Sequence, residues 1–481
     1  MTTIATAPRP IFVGGNWEQS EELLEVPNPA REGELAGITY LASAEQLDRA
    51  IGAAERAFEE TRHLPSYERG NQLRRISEGV LARREELGET LAREIGKPLR
   101  DSILEADRTA LAFRLAGEEA ERMHGELLPL DLIATSRERV GITRRFPIGP
   151  IAAISPFNLP LGLAVHKLAP AIAVGAPIVL KAPSRAPLAL LQLAEIIEQA
   201  GAVPGSVSIM AMSRELGDRM VVDERFALLT FTGSPAVGWR MKERAGKKKV
   251  VLELGGNAAA IVDRSADLEW AVARCLTGAF KFAGQLCVSI QRLMLHDDIA
   301  DDFLERFIGR AAALRMGDPL DVQTELGPMI ERAAGERTQR WIDEALSMGG
   351  RVLLGGEPQG QYYPPTILAD VPPEAGICSE EAFAPVAIVA RFRDFEEAVE
   401  RVNSSRFGLQ AGLFTNDLGH AWHAFNELEV GAVVLNDIPG YRIDNMPFGG
   451  VKESGLGREG LRWAMDDMTE LRLLVVAQPG I

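Results

Sequence analysis

The chain has 481 residues, 46% apolar and 25% charged, the balance of a globular protein with room for about three domain-sized units. Asp and Glu outnumber Lys and Arg by 68 to 52, and a formal charge of −16 argues against nucleic acid or an anionic membrane as partner. Cys275, Cys287 and Cys378 are too few for a disulfide framework, so a reducing, cytoplasmic setting is expected, with any special cysteine acting as a thiol. His420 and His423 make no zinc spacing, and no metal is expected.

The opening residues, MTTIATAPRPIF, lack the apolar segment of a signal peptide. Residues 45–122 read as amphipathic helices, with Leu73, Ile76, Val80, Leu81 and Leu87 in helical spacing. GELLPLDL (125–132) and RERVGITRRF (137–146) read as two exposed strands of a hairpin. The uncharged run 146–165 has the length of a membrane span, but Pro147, Pro150, Pro156 and Pro160 would break a helix repeatedly. It reads as a buried strand and loop, with no membrane involved.

From about residue 148, short apolar strands (151–155, 177–181, 206–210, 227–232 and 250–254) alternate with helical runs such as 187–200. That alternation predicts an α/β fold with a parallel sheet covered on both faces and ligands at the carboxyl ends of its strands. A second α/β region runs from about 255 to 460, and 468–478 reads as a final strand with no evident partner. Strands at both extremities suggest edge pairing with another subunit, hence a homodimer or homotetramer.

Several loops after these strands carry chemical groups. In FTGSPAVG (231–238) a strand ends at Thr232, Gly233 permits a tight turn, Ser234 suits an N-cap and Pro235 a first helical position. Such a helix start can hold a pyrophosphate, although no GxGxxG accompanies it. Lys181 ends a buried strand and reads equally as a ribose ligand or a solvated end. Glu253, between Leu252 and Leu254, is either a base with a raised pKa or a salt-bridged strand end. Cys287, in AGQLCVS, is a loop thiol; alone it reads as a nucleophile or as an inert core residue. Asn158, in SPFNLP, can donate to an oxyanion or cap a turn.

Taken together these segments decide more than any one of them. SPFN (155–158), Lys181, FTGS (231–234), ELGG (253–256), GQLC (284–287), EEAFAPV (380–386) and PFGGVKESGLGRE (447–459) occur in one order. The set resembles the NAD(P)-dependent aldehyde dehydrogenase superfamily over essentially the whole chain. The intervals of 34 residues from Glu253 to Cys287 and 23 from Asn158 to Lys181 match that family as well.

The resemblance implies two Rossmann-like parallel-sheet α/β domains and a small β oligomerisation hairpin. Residues 1–124 and 148–254 would bind the dinucleotide, 255–462 would be catalytic, and 125–147 with 463–481 would oligomerise. Cys287 is expected to attack the aldehyde carbon, Asn158 and the Cys287 N–H to hold the oxyanion, and Glu253 to act as base. Ser155, Pro156, Phe157, Lys181, Ala182, Ser184, Gly217, Phe231, Thr232, Gly233, Ser234, Val237, Leu254, Glu381 and Phe383 fall on cofactor-lining positions. NAD-preferring relatives often carry Glu where this chain has Ser184, so NADP is expected to be accepted beside NAD.

Similarity is greatest to the group acting on lactaldehyde, glyceraldehyde 3-phosphate and phosphonoacetaldehyde, through NSSRFGLQAGLFTND (403–417) and YRIDNMPFGG (441–450). Arg108 and Arg442 are candidates for an anion clamp, or are paired with Glu105 and Asp444. Leu286 and Val288 flank the nucleophile, and the apolar Leu286 favours an uncharged short or medium aldehyde. The rival readings are a CoA-acylating semialdehyde dehydrogenase, which commonly lacks the glutamate, a silent protein on the same fold, and a cysteine hydrolase without a convincing histidine partner.

Overall fold

The computed structural model describes residues 7–477. Residues 1–6 of the opening stretch and 478–481 of the last segment lie outside the described residues.

The five strands expected after residue 148 form one sheet, as Ile151–Ile154, Ile178–Ala182, Val207–Ala211, Leu228–Thr232 and Lys249–Glu253. They pair in parallel, with Ile151–Ile154 between Ile178–Ala182 and Leu228–Thr232. The chain winds outward in one direction from Ile151–Ile154, then returns to its other side. That reversal opens a crevice at the carboxyl ends of Ile151–Ile154 and Leu228–Thr232, where ligands of such sheets bind. Four of the strands are buried throughout or nearly so, which is why they read as short apolar runs, while Lys249–Glu253 is exposed at Lys249 and buried from Val251 on. The sheet is longer than the sequence suggests: Ile11–Val13 adds antiparallel at one edge, and Gly455–Leu456 at the other.

A second sheet contains Thr366–Ala369, Val386–Phe392, Ile290–His296, Ala258–Val262, Gln410–Phe414 and Ala432–Leu435 in parallel, with Arg351–Leu354 antiparallel at one edge. Residues 45–122 form four helices, Ala44–Thr61, Ser66–Ala82, Arg84–Ile95 and Leu99–Arg122. The first starts with a reciprocal capping box between Ser43 and Gln46.

The run 146–165 resolves into the strand Ile151–Ile154, a loop, and the start of the helix Pro160–Val174. Among the described residues no helix is long and apolar enough to cross a membrane. Pro160 opens the helix at a position where its missing N–H costs nothing, and Gly175 closes it with φ 79°. Glu105 accepts from the Leu161 and Gly162 N–H groups at 3.0 and 2.9 Å, so a carboxylate satisfies the helix start. Nearly every side chain of this helix is buried, including His166 and Lys167.

The final strand, which has no partner nearby in sequence, finds one within the chain. Thr469–Ala477 pairs antiparallel with Arg139–Pro147 over the whole length of both, and Leu127–Pro129 adds on the other side. The partner lies more than three hundred residues away in sequence, where no periodicity reveals it.

Candidate active site

Cys287 sits in a loop between the helix Leu268–Phe280 and the strand Ile290–His296. Just before it, Phe282 and Ala283 adopt left-handed backbone conformations, at φ 49° and 52°, followed by Gly284 at 65°. For residues with a Cβ that geometry costs of order 1–3 kcal/mol each, and it persists only where the surroundings enforce it. Here they do. Gln285 is fully buried; its Oε1 accepts from Ile330 N at 2.9 Å and its Nε2 donates to the Phe282 and Pro328 carbonyls. A Cβ on Gly284 would meet the Ala384 carbonyl at 2.0 Å, so only glycine fits there.

The loop is tied to the first sheet by Asn158, 4% exposed, whose Nδ2 donates to the Gln285 carbonyl at 2.9 Å. That contact takes one of two amide protons. The Cys287 N–H has no partner among the described residues. Burial, with the Glu381 and Glu253 carboxylates adding and Arg442 opposing, pushes the Cys287 thiol well above its ordinary value. The resting thiol therefore keeps its proton.

Glu253 ends the strand Lys249–Glu253, is 3% exposed, and has no hydrogen-bond partner on either oxygen. Burial and then the negative Glu459 raise its carboxyl well above the usual range, with Arg442, Lys167 and Arg458 pulling the other way. Gly256 follows because nothing larger fits, and Gly255 because a side chain there would displace the Glu381 carboxyl. A Cβ on Gly256 would lie 2.2 Å from the Cys287 carbonyl, and one on Gly255 2.5 Å from Glu381 Oε2. Glu381 Oε1 accepts from Gly256 N at 3.0 Å, and burial pushes that carboxyl up to about 7.

The crevice at the sheet reversal gathers the other predicted residues. Ser155, Pro156 and Phe157 follow one strand, and Phe231 and Thr232 end the next. Gly233 and Ser234 lead into the helix Pro235–Arg244. The Ser234 side chain makes no cap bond, and the Ser155 hydroxyl is buried without a partner. Lys181 and Ala182 end the neighbouring strand, where burial and Arg214 lower the Lys181 ammonium to about 8. Gly217 packs where a Cβ would touch the Lys181 stem at 3.0 Å, and Leu254 packs on Gly238, one residue beyond Val237. Ser184 is exposed. The Phe383 ring meets Phe157 edge-on at 6.0 Å, and a cleft of about 540 Å³ has both Ser234 and Glu381 in its wall.

Beside Cys287 a cavity of about 150 Å³ is lined by Leu286, Val288, Arg108 and Arg442, all anticipated, by Asp444, considered as a partner of the arginines, and by His166, which the sequence did not single out. Neither arginine is free: Arg108 Nη2 holds Asp444 at 3.0 Å and Arg442 Nη2 holds Glu459 at 3.3 Å. Glu105, the other acid considered for them, pairs with Lys97 instead. Lys167 and Glu459 also escaped the sequence reading. The available signal was a His-Lys pair inside an otherwise apolar helix, since a buried charge requires a partner.

Residues 17–474 match the model of the aldehyde dehydrogenase family. The chain belongs to that family. It is 40% identical over 467 residues to 3-sulfolactaldehyde dehydrogenase from Priestia megaterium, covering 97% of each chain. Among solved structures it is similar to aldehyde dehydrogenase 21 from Physcomitrella patens in complex with the reaction product succinate. That match has a TM-score of 0.96 at 43% identity and covers 99% of this chain and 100% of the other. A third similar protein is glyceraldehyde-3-phosphate dehydrogenase GapN from Methanocaldococcus jannaschii complexed with NADP, at TM-score 0.91 and 38% identity over 95% and 99% of the two chains. The enzyme is thus an oxidoreductase acting on aldehydes.

Proposed function

We propose that the enzyme oxidises a short, lactaldehyde-like aldehyde to the carboxylic acid with NAD or NADP, through a thioester on Cys287 that water resolves. The observation that carries this reading is that Glu253, a buried carboxyl with no hydrogen-bond partner on either oxygen, lies near enough to the Cys287 thiol on its strained loop to act on it electrostatically. Glu253 takes the Cys287 proton, and the thiolate attacks the carbonyl carbon to give a thiohemiacetal. The remaining Asn158 amide proton and the Cys287 N–H stabilise the oxyanion in a site already rigid before substrate arrives. A nicotinamide held in the neighbouring crevice would supply the hydride acceptor for this step. Having passed the Cys287 proton to solvent, Glu253 removes a proton from the water that attacks the thioester and returns it to the departing Cys287 thiolate, and the acid is released.

The residues present fit a dinucleotide. Lys181 is a half-buried cation with no ion-pair partner among the described residues, Ser155 offers an unpartnered hydroxyl, and Ser234 leaves the start of a helix uncapped. Lys181, Ser155 and Ser234 would hold the phosphates and ribose, with Glu381 and Phe383 at the nicotinamide end. No carboxylate stands at Ser184, and with Arg214 near Lys181 this favours acceptance of a 2′-phosphate. NADP in the similar GapN structure supports the same reading.

Arg108, Arg442 and His166 in the cavity wall temper the expectation of an uncharged, apolar tail in favour of a short polar one. The exposed Leu471, Leu473, Leu474 and Val475 of the last strand, 49–60% accessible, favour a homodimer or homotetramer. Three free cysteines suit the cytoplasm. The test is formation of reduced nicotinamide from lactaldehyde without CoA. Turnover that disappears in Cys287→Ala supports the assignment, and a strict need for CoA refutes it.

A further inference from the structure

A cavity of about 400 Å³ lies away from Cys287, with Val174 in its wall. Val174 ends the helix Pro160–Val174, whose first turn follows Asn158. A helix of 15 residues sets its two ends about 22 Å apart, so this cavity is separate from the catalytic loop. Arg62, Arg69, Arg144, Arg145 and Arg472 line it, with His63 and His124, and no Asp or Glu does. A formal charge of −16 makes that concentration of cations one the chain as a whole does not predict.

Three of these arginines have acids beyond the cavity wall. Arg145 Nε holds Asp466 at 3.0 Å, Arg472 Nε donates to Glu470 at 2.9 Å, and Arg62 lies 3.9 Å from Glu59. Arg69 donates to the Ala173 carbonyl at 2.7 Å and to that of Leu64, and has no carboxylate among the described residues. Arg144 has no hydrogen-bond or ion-pair partner among them at all. It stands directly opposite Arg472 where Arg139–Pro147 pairs with Thr469–Ala477. Side chains so placed share one face of the sheet with Cβ atoms about 5 Å apart, and like charges there repel. Both guanidiniums pack on the Phe146 ring, at 5.2 and 4.6 Å from its centre. Arg144 also acts on Arg69, adding to burial in lowering that guanidinium. Repulsion thus runs from Arg69 to Arg144 to Arg472, with the single carboxylate of Glu470 paired against it.

We propose that this cavity is a second binding site, for a small organic phosphate such as a sugar phosphate. Guanidinium forks match phosphate oxygens, and stacking on an aromatic ring fixes the plane of the fork in advance. A phosphate monoester carries close to two negative charges at neutral pH, enough to offset both Arg69 and Arg144, whereas a carboxylate carries one. The space is far larger than an inorganic ion needs and falls within the range of small-molecule sites. Phe58, Leu64, Met123 and Ile148 make the rest of the wall apolar, which suits the carbon skeleton of an ester. Nothing here depends on the aldehyde chemistry at Cys287.

The probe is sorbitol 6-phosphate, which has no aldehyde to oxidise and is too large for the cavity of about 150 Å³ beside Cys287. Titration calorimetry on the full-length enzyme at low ionic strength measures its binding, with saturating NAD to fill the cofactor crevice. Wild type is expected to bind it more tightly than either sorbitol or inorganic phosphate. Arg144→Gln should weaken it at least about tenfold, and so should Arg472→Gln. Arg144 is exposed and its replacement relieves repulsion, so that variant should keep the fold. A wild type that does not bind the probe overturns the inference. Affinity unchanged in both variants also overturns it, by placing the phosphate elsewhere, as does equal affinity for inorganic phosphate. If wild type binds nothing and Arg144→Gln alters the oligomeric mass, the cations serve acids of a second copy of the chain instead.

Discussion

Lys167 and Glu459, 292 residues apart in the chain, meet at 2.8 Å between Nζ and Oε1, with both side chains at most 2% exposed. Lys167 also donates to Thr232 and Thr230 at 2.7 and 3.2 Å. Burial alone would raise Glu459, but Lys167, Arg442 and His166 more than offset it and keep this carboxylate ionised. Its charge is in turn one of the forces that raise Glu253. Glu459→Gln removes that charge and frees two cations, so Glu253 should ionise more readily. The rising limb of the kcat–pH profile should move to lower pH than in wild type; a limb that stays in place would show that Glu459 does not tune the base.

Asn158 is the second handle on the site. Asn158→Ala loses both the tie to the Gln285 carbonyl and the donor proposed for the oxyanion. Removal of one such donor typically costs ~2.7–4 kcal/mol, a fall of about 10²–10³ in kcat. Stopped-flow measurement of the chemical step checks this, and a loss below about tenfold would remove Asn158 from the oxyanion role.

Lys181 links cofactor affinity to pH. Its ammonium, lowered to about 8 by burial and Arg214, is charged below that pH and neutral above it. The kcat/KM for NADP should therefore fall as pH rises through about 8, because this profile reports the free enzyme. Lys181→Met should be weaker at neutral pH and lack that descending limb. Persistence of the limb in the variant would assign it elsewhere.

Ser184 tests cofactor choice by charge alone. Ser184→Glu sets a carboxylate where a 2′-phosphate is proposed to lie, and like-charge juxtaposition costs several kcal/mol. The ratio of kcat/KM for NADP over NAD should drop at least about tenfold. An unchanged ratio would place the phosphate away from Ser184.

The strands of the first sheet were legible because burial on both faces writes them as short apolar runs, Ile151–Ile154 and Leu228–Thr232 among them. Cys287, Glu253 and Asn158 were legible only as an ordered set, since each alone has an ordinary structural reading, as a core thiol, a salt-bridged strand end and a turn cap. What escaped was long-range. Nothing local pairs Thr469–Ala477 with Arg139–Pro147, Lys167 with Glu459, or His166 with Asp444. Those contacts join segments hundreds of residues apart, and the buried charges reveal themselves locally only as misfits in apolar helices and glycine-rich turns. The left-handed backbone at Phe282 and Ala283 was likewise invisible, because neither residue type prefers it.

The most direct test of the central claim is a single-turnover experiment on Glu253→Gln with lactaldehyde and NADP, followed by peptide mass mapping. The account predicts at most one reduced nicotinamide per site, then arrest, with the acyl mass on the Cys287 peptide. Continuous turnover at the wild-type rate, or an adduct on Cys275 or Cys378 instead, would contradict it.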